Sequence, residues 1–107
     1  MIELVHYQER NGKYPFKGWI ATIRDEVAKA RIVFRLFQVE SGNLGDCKPV
    51  GEGVIELRIR VGAGYRVYCG LHGQQYVILL CGGDKGSQSK DIAKAKAFWN
   101  DWKRRQP

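Results

Sequence analysis

The chain has 107 residues, enough for one domain with a modest core. Its 44% hydrophobic and 27% charged residues exclude a disordered chain, and no apolar run approaches the roughly 20 residues that a bilayer-spanning helix needs. Eighteen Lys and Arg against eleven Asp and Glu leave a net charge of +7, which points to nucleic acid, an acidic protein or an anionic surface as partner.

The chain opens on strand-like residues without a signal peptide, and 2–7 read as a first strand followed by a polar turn from Gln8 to Lys13. Phe16, Trp19, Ile20, Ile23, Val27, Ala30, Phe34 and Phe37 then recur at steps of three and four, which predicts one apolar helical stripe running to residue 40. Pro15 suits a first helical turn and Asp25 is placed to cap a second helix. The spacing therefore predicts helices over 15–24 and 26–40, packed as a hairpin. Arg31 and Arg35, one turn apart and off that stripe, read as a solvated or salt-bridged face. Ser41 to Gly53 holds four glycines and a proline and reads as a loop.

Three strands follow, near 54–61, 65–71 and 75–81, joined by connections too short for crossovers, so they form an antiparallel meander. In the first, Ile55, Leu57, Ile59 and Val61 alternate with Glu56, Arg58 and Arg60, so the apolar set faces a core and the charged set shares the other side. Arg66 and Tyr68 repeat the pattern on the second strand. Paired in register, Arg58, Arg60, Arg66 and Tyr68 converge on one surface, and such a face calls for an anion. The third strand is apolar on both faces and ends in Gly82-Gly83-Asp84-Lys85. Ile92, Ala95, Trp99 and Trp102 mark a last amphipathic helix, whose tryptophans read as core or partner-binding residues.

Cys47, Cys69 and Cys81 are an odd number without zinc-site spacing and read as small buried hydrophobes in a reducing compartment. His6 and His72 stand alone. The expectation is one cytoplasmic domain over 1–107 with no metal and no cofactor.

The order β-α-α-β-β-β-α is an α+β architecture. Together with it, Arg31-Ile32 with Arg35-Leu36, Gly42-Asn43-Leu44-Gly45-Asp46, Glu56-Leu57-Arg58-Ile59, Gly62-Ala63-Gly64-Tyr65-Arg66-Val67-Tyr68 and Leu79-Leu80-Cys81-Gly82-Gly83-Asp84-Lys85 with Gln88 and Lys90-Asp91-Ile92 resemble the phage-derived, HigB-like branch of the RelE/ParE toxin superfamily. The match covers nearly the whole chain. The resemblance implies a RelE-like fold with an antiparallel-dominated, four-stranded sheet, an N-terminal helical hairpin and a C-terminal helix. It also implies the toxin of a type II toxin–antitoxin module: a ribosome-dependent mRNA endonuclease, neutralised by a HigA-like helix-turn-helix antitoxin and touching operator DNA only through it. No membrane partner is expected.

Metal-independent RNA cleavage uses the ribose 2′-hydroxyl as nucleophile on its neighbouring phosphate. It needs a base, positive charge on the phosphorane and an acid for the leaving 5′-oxygen. Arginine suits the second task because its charge is permanent and its planar fork matches phosphate oxygens. Arg66 is the leading candidate for it, with Arg58 and Arg60 as phosphate anchors; the Tyr65-Arg66 pair agrees with a recurrent feature of RelE-type sites. Lys85, just past a strand end with arginines nearby, is the candidate proton carrier. Glu56 is a second candidate base or the arginines' ion-pair partner, and Tyr68 a stacking residue, a proton donor or packing. The final helix carries no His or Tyr of the kind some relatives use as acid or base. Two other readings stand beside the nuclease: a ParE-like inhibitor of DNA gyrase, and a non-enzymatic module that docks nucleic acid or an acidic protein segment.

Overall fold

A computed structural model describes residues 1–107. The strands are β1 (Glu3–His6), β2 (Cys47–Gly51), β3 (Val54–Ile59), β4 (Tyr65–His72) and β5 (Tyr76–Gly83), and the helices α1 (Pro15–Ala21), α2 (Glu26–Glu40) and α3 (Gln88–Arg104). They form one α+β unit around a five-stranded mixed sheet of order β1-β5-β4-β3-β2. β1 runs parallel to β5 and the other pairings are antiparallel. The meander and the first strand stand where the alternation put them. The expected four-stranded sheet does not: Cys47–Gly51, expected within a loop, pairs with β3 as a fifth strand. A short edge strand tolerates Pro49, which a central position would not.

α1 and α2 cover one face of the sheet and α3 the other. On the first, Phe16, Ala28, Ile32, Leu36 and Val39 meet the alternate residues Leu57, Ile59, Val67, Val77 and Leu79. On the second, Ala95 and Trp99 meet Val54, Tyr68, Ile78 and Leu80. The side of β3 expected to carry exposed charge is thus half covered, and Val54 and Glu56 are fully buried. The two N-terminal helices lie on β5 and β3 respectively more than on each other, so the expected helical hairpin is two separate helices on one sheet. Asp25 caps α2 as its position suggested, its Oδ1 accepting from the amides of Val27 and Ala28 at 3.0 and 3.1 Å.

The predicted stripe on α2 is reversed. The helix buries Ala28, Ile32, Leu36 and Val39, while Phe34 and Phe37 are 61% and 64% exposed. Both sets have helical spacing, and the smaller aliphatic set packs closely on a pleated sheet surface. No helix is long and apolar enough to cross a membrane.

Between Tyr68 and Cys69 the β4–β5 register slips by one residue, leaving Leu80 unpaired as a β-bulge. Past it, Gly82 and Gly83 sit against Trp19 on one side and Asp91 on the other. A Cβ on Gly82 would lie 2.3 Å from the Trp19 ring, and one on Gly83 would collide with the Asp91 carboxylate. These glycines admit an indole and a carboxylate, not a ligand. Gly82→Ala is expected to displace Trp19 and cost about 1–3 kcal/mol. In thermal melts that appears as a Tm lowered by roughly 5–20 °C.

Candidate functional site

Adjacent ends of β3 and β4 set four side chains in a block on the α3 side of the sheet. Arg58 pairs directly with Arg66, and Glu56 with Tyr68 two residues along. Glu56 lies at its centre, wholly buried. Its carboxylate accepts from Arg58 Nε at 3.2 Å, from the Tyr68 hydroxyl at 3.0 Å and from Gln88 Nε2 at 2.8 Å. Arg66 Nε lies 3.6 Å away as an ion pair. Burial pushes the Glu56 pKa up, yet the hydrogen bonds from Gln88, Tyr68 and Arg58 and the Arg66 charge outweigh it and hold the carboxyl below the usual glutamate range. Burial and the neighbouring Glu56 charge push the Tyr68 phenol up.

Outward from this block opens a cleft of about 330 Å³, lined by Arg58, Arg60, Tyr65, Arg66 and Lys85 with the Gly62–Gly64 turn. Lys85 starts a 3-10 turn (Lys85–Ser87) after β5. Its amide reaches the Ala63 carbonyl at 3.4 Å, which ties the lysine to the β3–β4 turn. Gly64, in the left-handed region at φ 76°, offers its carbonyl to Arg66 Nη1 at 2.9 Å. Arg66 Nε is buried and makes no hydrogen bond. Arg60 lies just past β3, largely exposed, with Nε 2.8 Å from an Asp46 carboxylate oxygen. That hydrogen bond is the main cause that holds the Asp46 pKa below its ordinary value. The site's four cations therefore meet two carboxylates, Glu56 and Asp46, and positive charge is left in excess toward the cleft.

Five sequence candidates thus share one cleft: Arg58, Arg60, Tyr65, Arg66 and Lys85. Glu56 and Tyr68 lie beneath it. Tyr68 has no exposed surface and donates its hydroxyl to Glu56, so no nucleobase can stack on it. Glu56 is ionised but its oxygens are already committed to three donors, which suits an anchor for the arginines and not a base for a substrate hydroxyl. Three supporting residues carried the family resemblance but were given no role in the site: Gln88, Asp46 and Arg35. Arg35, expected on a solvated or salt-bridged face, is buried and bonds backbone carbonyls instead. Its Nη2 donates to the Asp46 carbonyl at 2.8 Å and its Nε to the Arg58 carbonyl at 3.4 Å, so it pins the loop before β2 to the end of β3. The signal for it was the spacing of Ala28, Ile32, Leu36 and Val39, whose stripe contains position 35.

No cysteine lines the cleft. All three are free, and burial pushes the Cys81 thiol up to about 12 and the Cys69 thiol up as well.

No family model matches the chain. A Haemophilus influenzae protein described as uncharacterized is 48% identical to it over 81 residues, which cover 76% of this chain and 82% of that protein. With that identity over most of both sequences, the chain belongs to the same family as the Haemophilus influenzae protein.

Proposed function

We propose that the protein is the toxin of a type II toxin–antitoxin module, a metal-independent endoribonuclease that cuts mRNA on the ribosome and is neutralised by a helix-turn-helix antitoxin. The observation that carries this reading is the cleft of about 330 Å³ that Arg58, Arg60, Arg66 and Lys85 line above a buried, ionised Glu56. Guanidinium groups held rigidly before the substrate arrives are what a developing phosphorane charge requires. Here Glu56 supplies the rigidity for two of them.

In this reaction the ribose 2′-oxygen attacks the adjacent phosphorus and the bond from phosphorus to the 5′-oxygen breaks. The products are a 2′,3′-cyclic phosphate and a free 5′-hydroxyl. Arg66 and Arg58 hold the non-bridging oxygens, and Arg60 and Tyr65 take the flanking backbone and base. One proton leaves the 2′-hydroxyl and one reaches the 5′-oxygen. Lys85, the exposed amine at the rim, carries one of these transfers. The net charge of +7 favours binding to the ribosome's RNA and makes it steeply salt-dependent.

Primer extension on cellular mRNA after brief expression tests the reading. New 5′ ends inside translated transcripts are expected from the natural chain and none from Lys85→Ala, with equal far-UV dichroism for both. Relaxed plasmid without new ends would instead indicate gyrase inhibition, and growth arrest with neither change would indicate a binding module. Either result overturns the nuclease.

A further inference from the structure

We propose that the outward face of α2 docks an amphipathic, acid-flanked helix of a partner protein, on the opposite side of the sheet from the cleft. The observation behind it is the reversed stripe. Val27, Val33, Phe34 and Phe37 stand between 53% and 64% exposed along one side of a 15-residue helix whose other side is buried. A patch of this make-up, with two phenylalanines on one rigid element, is unusual on a surface that meets only water.

The pattern defines the occupant. Val27, Ala30, Phe34 and Phe37 follow steps of three, four and three, the a and d spacing of a helix–helix seam. Phe34 rises as a ridge between two shallow grooves. One is walled by Lys29 with Val33 and Phe37, the other by Arg31 with Val27, and Glu26 stands at the end they share. Ridge and flanking grooves accept the side chains of a second helix laid along the first. The flanks carry two cations against one carboxylate, so the best-matched helix has apolar residues on its seam and Asp or Glu beside them. A second copy of this chain is a worse match. It brings the same cationic surplus to the same flanks, on a molecule that itself carries +7.

The surface is also independent of the cleft chemistry. Arg58, Arg66 and Gln88 meet Glu56 on the α3 side, while the α2 patch points away from the sheet on the other side. A helix seated there leaves the cleft open.

The test uses two fluorescein-labelled synthetic helical peptides with leucines on an a/d seam, one flanked by glutamates and one by lysines. Fluorescence anisotropy is read with the purified full-length protein. The glutamate peptide is expected to bind saturably and at least tenfold more tightly than the lysine peptide. Phe34→Ser, at an exposed position that the fold does not need, is expected to abolish binding. The double variant K29E/R31E is expected to invert the preference between the peptides. Equal affinity for both peptides, binding by neither, or unchanged binding in Phe34→Ser overturns the proposal. So does Phe34-dependent self-association in sedimentation equilibrium, which would assign the face to a second copy. Circular dichroism of each variant separates these outcomes from misfolding.

Discussion

Arg66→Ala is expected to lower mRNA cleavage about 10²–10³-fold, the usual cost of deleting one preorganised donor to a developing oxyanion. The same variant keeps its fold. Glu56 retains Arg58, Tyr68 and Gln88 as donors, so no buried carboxylate is left bare when the Arg66 guanidinium goes. Arg66 is also the residue whose removal is most specific to the cleft. Its Nη1 is held by the Gly64 carbonyl, and its Nε makes no hydrogen bond with the protein. Arg66→Lys separates charge from geometry, because an ammonium restores the charge without the planar fork. Partial recovery is expected. Primer extension and growth arrest read the activity, and a thermal melt reads the fold. Undiminished cleavage in Arg66→Ala, with protein levels matched, removes the cleft from the reaction.

The second large effect belongs to stability. Glu56→Gln leaves Arg58 and Arg66 facing each other across the β3–β4 pair without the charge that reconciles them. It also turns an amide toward the Tyr68 and Gln88 donors. Removing one partner of a buried ion pair typically costs about 3 kcal/mol or more. For a domain of this length that lowers Tm by roughly 12–24 °C. The pH dependence follows from the direction of the shift. A carboxyl held below its ordinary value of 4.5 contributes its full stability above that value and loses it as pH falls through the folded-state value. Urea unfolding should therefore show a gap between the natural chain and Glu56→Gln that is widest near pH 7 and narrows on acidification below about 4.5. A gap that is constant with pH would mean that Glu56 acts through shape alone.

Much of this arrangement was legible beforehand because it depends on local periodicity. Side chains on β3 and β4 alternate with a period of two, so the shared face of Glu56, Arg58, Arg66 and Tyr68 follows from the sequence once the short turn fixes the register. Asp25 as a cap and Trp99 as a core residue follow from equally local signals. What local periodicity cannot show is which surface a neighbour covers. Glu56 and Tyr68 are buried because α3, which begins at Gln88, twenty or more residues away in sequence, closes over them. On α2 two stripes of similar hydrophobicity compete, and only the packing surface of the sheet chooses the aliphatic one. Arg35 is hidden for a related reason: its partners are backbone carbonyls of Asp46 and Arg58, which have no side-chain signature. The fifth strand lacks a pattern of its own, since Pro49 and the flanking glycines obscure it and only its pairing with β3 defines it.

The parallel pairing of β1 with β5 also governs the order in which the chain matures. The first strand emerges from the ribosome at once but has no ladder partner until residues 76 to 79 are synthesised. Gln88, which completes the Glu56 anchor, comes later still. A nascent chain therefore remains without an assembled cleft until residue 88 of its 107 has been added, since the contacts that close the site come from late in the sequence. Under the proposed function, that order would spare the ribosome that is making the protein.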